Sequence, residues 1–84
     1  MKQVRWNKII YDEFIRLTTM TDFQRAVMDM HVKRESNVAI ALALHCSESS
    51  VNNAIRQCKD MYDDVQPHSD ILPKRLEGRY KRIE

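Results

Sequence analysis

One glycine and two prolines in 84 residues leave few places for tight turns. An all-β fold needs such turns at short intervals, so that class is excluded. No apolar run is long enough to cross a bilayer. The opening MKQVRWNKIIYDEF acquires an acid at Asp12, unlike a signal peptide. A soluble, cytoplasmic protein with no membrane partner is the expectation. The two cysteines, Cys46 and Cys58, are too few for the disulfide framework of a small secreted domain, and both are expected as reduced thiols. Their spacing, with His45 and His31 in the vicinity, matches no paired metal-ligand pattern. Both fall on apolar faces, where a thiol serves as a small hydrophobe. Cys46 and His45 are chain neighbours that point apart, and no acid stands ready to orient the histidine as a base. A single glycine also rules out a glycine-rich phosphate cradle. The expectation is a protein that is not an enzyme and has no metal or cofactor.

What is present is helical pattern. Hydrophobic residues make up 43% of the chain and charged residues 31%, the balance of one small globular domain with a limited core. The net charge of +2 is unevenly spread. Residues 1–35 carry seven Lys/Arg against five Asp/Glu, residues 36–65 two against four, and residues 66–84 five against three. The basic character lies at the two ends.

Trp6, Ile10, Phe14 and Leu17 recur at helical spacing, and Ile9, Tyr11 and Ile15 widen that face beyond a normal apolar stripe. The face is either covered by its own chain or a dimer contact. In TTMTDFQRAVMDMHV, Thr21 can cap a second helix and Gln24 can reach back to it, with Asp22 at the positive end of the helix. Phe23, Val27 and Met30 are the expected buried face of that helix. KRES interrupts the pattern. Ser36 can cap a third helix, NVAIALAL, ending near Leu44. His45 and Cys46 make a turn, and Ser47 caps a long fourth helix with the stripe Val51, Ile55, Cys58, Tyr62 and Val65. Pro67 ends it, and HSDILP reads as a linker. Pro73 can begin a short last helix with Leu72, Leu76, Tyr80 and Ile83 on one side, although Gly78 weakens it.

A short helix, a tight turn and a longer helix form a helix-turn-helix pattern. Ala41 is small where the two helices must approach. Leu44, Val51 and Ile55 fill the wedge between them. The turn needs a left-handed residue, for which glycine is cheapest; His45 enters that region more readily than a β-branched residue would. Glu48, Ser49, Asn52, Asn53, Arg56 and Lys59 then point outward. Asn can donate and accept together on adenine, Arg can fork onto guanine, and Ser serves base or phosphate.

From Met20 to about Tyr62, roughly half the chain, the sequence resembles the region-four domain of bacterial sigma factors and the related LuxR-type DNA-binding domain. The residues that carry the resemblance are FQRAVMDMHV, Ile40–Ala41, Leu44, CSESSV and Ile55. The resemblance implies an all-α, four-helix, sigma region-four-like domain over residues 1–66, with its helix-turn-helix at about 36–59 and a basic C-terminal extension at 67–84. It places Ser49, Asn52, Asn53 and Arg56 on bases in the major groove. It places Lys33, Arg34, Ser36 and Asn37 on the DNA backbone, where Ser47, Lys59, Lys74 and Arg75 are further candidates. The sequence departs from the family in its few basic residues on the fourth helix and in Asp60, Asp63 and Asp64 near that helix's C-terminal end. No region for a promoter's other element accompanies it. The implied function is a small stand-alone bacterial or phage transcription regulator that binds double-stranded DNA, as a homodimer. The alternative is a protein-protein interaction module that engages RNA polymerase or another regulator, because Val38 and Leu42 give the third helix a second apolar side.

Overall fold

Asn7 opens the first helix. Its side-chain oxygen accepts a hydrogen bond from the Ile10 N–H at 2.9 Å, which satisfies one of the free amides of a helix start. The computed structural model describes residues 4–74. Among them are four α-helices, α1 (Lys8–Leu17), α2 (Asp22–His31), α3 (Asn37–Leu44) and α4 (Glu48–Val65), followed by a 3-10 turn at Gln66–His68. No strand occurs among the described residues, which are all-α. The helices fall into two compact units. One combines the described residues up to Thr19 with those from Lys59 onward, and the other is Met20–Cys58.

The first unit is organised by aromatic rings. Trp6 precedes α1 rather than lying on its face, as its periodic spacing had suggested. It packs edge-on against Tyr11, ring centroids 5.8 Å apart, one residue before the cap meeting the fourth residue after it. That pairing is a hydrophobic staple, and it fixes how the chain enters the helix. Trp6 also contacts Phe14 at 5.5 Å and Tyr62 at 5.8 Å, and Phe14 meets Tyr62 at 5.4 Å. Phe14 and Tyr62 are fully buried, with Val4 and Leu72 nearly so. The indole N–H of Trp6 is buried without a hydrogen-bond partner among the described residues. The ring contacts hold it there against a loss of about 1–3 kcal/mol.

The stretch read as a linker is tied down. Ser69 Oγ accepts from the Ile71 and Leu72 N–H groups at 3.1 and 3.3 Å and donates to Glu13 Oε2 at 2.9 Å. Gln66 Nε2 donates to the Leu72 carbonyl, and the Tyr62 hydroxyl donates to that of Pro73. These bonds carry Leu72 into the aromatic cluster's unit as a buried side chain. The other oxygen of Glu13 accepts from Arg16 Nε at 2.9 Å. The hydrogen bonds from Arg16 and then Ser69 hold the Glu13 carboxyl below the usual glutamate range, so it stays charged further into acid than a free glutamate. The expected last helix, with Leu76, Tyr80 and Ile83, lies outside the described residues.

The second unit follows the sequence reading more closely. Thr21 and Gln24 form the expected capping box, the Gln24 N–H donating to Thr21 Oγ1 at 3.1 Å and the Thr21 N–H to Gln24 Oε1 at 3.0 Å. Val27 is fully buried, but so is Met28, while Phe23 is 38% exposed. Helical side chains lean toward the N-terminus, so a ring in the first turn projects off the end of the helix rather than onto the core. Ser36 caps α3 through the Ala39 N–H at 3.1 Å, and Ser47 caps α4 through the Ser50 N–H at 3.1 Å.

Glycine is absent from both helix closures in this unit. After α2, the Glu35 N–H reaches the Met30 carbonyl and the Arg34 N–H reaches that of His31, with Arg34 left-handed at φ 67°. After α3, the Cys46 N–H reaches Ala41 and the His45 N–H reaches Leu42, with His45 left-handed at φ 55° and ψ 48°. Both are Schellman-type closures. His45 is where the sequence predicts it, and Arg34 is an addition. The core consists of Val27, Ile40, Ala41, Val51, Ala54 and Ile55, with Met30, Leu44 and Cys46 packed against it. Both cysteines are free thiols. Cys58 is fully buried, and burial pushes its pKa up to about 11. The thiol is therefore protonated at neutral pH and a poor nucleophile.

Candidate nucleic-acid interface

The polar surface of α4 follows from where its apolar residues must go. Val51, Ala54, Ile55 and Cys58 are buried. At about 100° per residue they mark one side of the helix. Ser49, Asn52, Asn53 and Arg56 lie on the opposite side, and all four are exposed. They span the first turns of a helix whose N-terminus is fixed by Ser47 and by the left-handed step at His45. Ser47 itself is engaged, since its hydroxyl oxygen accepts from the Ser50 N–H and lies 3.0 Å from the Ser50 hydroxyl. The four outward residues are thus presented on a docked, capped helix.

The residues expected on the DNA backbone are less uniform. Lys33 and Arg34 are exposed in the turn before α3. Ser36 is exposed, with its oxygen holding the α3 cap. Asn37 is half-buried, and its Nδ2 donates to Asn52 Oδ1 at 2.5 Å. The structure therefore joins one expected backbone contact to one expected base reader. Lys59, half-buried, and Lys74, exposed, fall in the other unit. Arg75 lies outside the described residues.

Sequence reasoning missed a second amide pair. Gln24 Nε2 donates to Gln57 Oε1 at 2.8 Å, tying α2 to α4. The capping box fixes the direction of this bond. The oxygen of Gln24 must accept from the Thr21 backbone N–H, so its nitrogen is the arm left to donate. The free arm of Gln24 was implicit in the capping-box spacing, but no sequence signal named Gln57 as its partner.

The charge of this unit is balanced. Residues 20–58 contain Arg25, Lys33, Arg34 and Arg56 against Asp22, Asp29, Glu35 and Glu48. Such a surface attracts a polyanion only through the local placement of its cations. Val38 and Leu42 are 51% and 72% exposed on α3, four residues apart and so on one face. Among the described residues, no group of three His, Cys, Asp or Glu could hold a metal ion, and no helix is long and apolar enough to cross a membrane. Comparison with models of protein families, with curated proteins and with solved structures finds no match.

Proposed function

We propose that this chain is a sequence-specific reader of double-stranded DNA, with a sigma region-four-like helix-turn-helix formed by α3 and α4, acting as a homodimer in transcriptional control. One observation carries the reading. Ser49, Asn52, Asn53 and Arg56 share an exposed face in the first turns of a capped helix whose opposite face is buried. An amide and a guanidinium so placed can reach base edges in the major groove. Lys33, Arg34 and Ser36 lie at the entry to the motif, where phosphate contacts set register. With balanced charge in this unit, base contacts have to carry an unusual share of the affinity. A two-fold pair of such helices would address half-sites about 34–36 Å apart.

The test is selection of bound fragments from a genomic duplex pool at several salt concentrations. A palindromic sequence is expected to be enriched. On that sequence, Asn52→Ala and Arg56→Ala are each expected to weaken binding by about 1–3 kcal/mol. Binding to random duplex should barely change. Equal losses on selected and random DNA would remove the base-reading role.

The second reading is a helix-turn-helix turned to protein contact, with RNA polymerase or another regulator as the partner. The exposure of Val38 and Leu42 favours it, because paired apolar side chains in water mark contact surfaces. Absence of DNA binding even at low salt would select this reading.

A further inference from the structure

The bond between Asn37 and Asn52 has a direction, and the direction decides what Asn52 can offer. Asn37 is the first residue of α3, half-buried, and Asn52 lies in the second turn of α4, exposed. The donor is Asn37 Nδ2 and the acceptor is Asn52 Oδ1, 2.5 Å apart. An asparagine amide is planar, with oxygen on one arm and nitrogen on the other. Once the oxygen of Asn52 is turned to Asn37, its nitrogen occupies the other arm with two N–H donors. Arg56, one turn further along, is donor-only. We propose that Asn37 is a positioning residue that sets Asn52 as a hydrogen-bond donor, so that Asn52 reads guanine through its N7 and O6 acceptors rather than adenine. This rests on the DNA-reading function proposed above and deepens it.

The chemistry separates the two bases. Adenine offers one acceptor, N7, and one donor, the N6 amine, and a bidentate asparagine must accept from the second. Here the oxygen is already bonded to Asn37 at short range, and a further N6–H would have to share it. Guanine offers two acceptors in the major groove and needs no acceptor from the protein. The same bond gives a half-buried Asn37 a role other than phosphate contact. It also removes rotamer freedom from Asn52 before any ligand arrives, which lowers the ordering cost of binding. Gln24 also donates to Gln57, through an amide whose oxygen is held by the Thr21 backbone N–H.

The experiment selects sites from a random duplex pool with the wild-type chain, Asn52→Ala, Asn37→Ala and Asn37→Asp, each verified as helical by circular dichroism at the binding temperature. The base read by Asn52 is the position whose preference disappears in Asn52→Ala. Guanine is expected there for the wild type. Asn37→Ala is expected to lose that preference and about tenfold in affinity for the selected site, with affinity for random duplex and its salt slope unchanged. Asp at position 37 keeps the shape and suits a helix N-terminus, but it can only accept. Asn52 must then turn its nitrogen inward and its oxygen outward, and the preference should move to a base with an exposed amine, cytosine or adenine. Adenine at that position in the wild type overturns the proposal. So does an Asn37→Ala variant that keeps the guanine preference, or one that weakens all sequences alike with a flatter salt dependence. A wild-type chain that enriches no sequence refutes the DNA-reading function itself, and the role of Asn37 with it.

Discussion

Phe14→Ala is expected to lower the free energy of unfolding by about 3–5 kcal/mol. Phe14 has no exposed surface, and its ring lies against both Trp6 and Tyr62. Truncation removes the transfer energy of a phenyl group and leaves a cavity lined by two rings. Those rings are held elsewhere, Trp6 by its staple to Tyr11 and Tyr62 by its bond to the Pro73 carbonyl. They cannot collapse freely into the space, which puts the cost toward the upper end of the range. A chain of 84 residues has a total stability of about 4–13 kcal/mol. The variant should therefore lose between about a third and all of its stability. Urea titration followed by the fluorescence of Trp6, the sole tryptophan, measures the loss directly. A shift below about 1 kcal/mol would mean that the ring cluster is not a packed core.

Ile40→Ala is expected to cost about 2–5 kcal/mol and to abolish site-specific binding at physiological temperature. Ile40 is fully buried on α3 and packs in one cluster with Val51, Ala54 and Ile55 of α4. The buried sides of α3 and α4 meet through this apolar contact, with the small Ala41 beside it, and the Asn37–Asn52 bond adds a polar link between the same helices. Loosening the apolar contact also releases that short bond from Asn37 to Asn52. The control is Ile40→Val, which should cost about 0.5–1.5 kcal/mol and retain the selected site. Denaturation midpoints and duplex titrations on the same samples separate the two effects. Full sequence preference in a folded Ile40→Ala variant would show that the α3–α4 angle is set by something else.

Local signals with a fixed offset were legible in the sequence. Thr21 with Gln24, Ser36 before an apolar octet, and His45 followed by Ser47 each specify a cap or turn through groups within one helical turn, and each forms as read. Features that depend on distant partners were not legible. Trp6 has helical spacing to Ile10 and Phe14, yet Asn7 starts the helix after it, and periodicity does not register a cap. The run HSDILP has linker composition, but Ser69 finds Glu13, far away in sequence. Met28 is buried beside Val27, a position that lies outside the single apolar stripe. For the candidate interface, outward polarity on α4 was readable from the apolar stripe alone. The Asn37–Asn52 and Gln24–Gln57 bonds were not, since side-chain amides leave no periodic trace.

The two left-handed closures, at Arg34 and His45, govern which substitutions the motif can accept. At most positions of a helical protein the side chain decides tolerance. At these two the backbone decides it. Left-handed geometry costs an ordinary residue about 1–2 kcal/mol and a β-branched one more, while glycine adopts it without that strain and asparagine adopts it readily. Valine, isoleucine or threonine at position 34 or 45 would therefore strain the entry to α3 or its exit, even where the site is open to solvent. Among divergent descendants of this chain, these positions should drift toward glycine and asparagine and stay closed to branched residues. That substitution pattern would mark both turns from sequences alone.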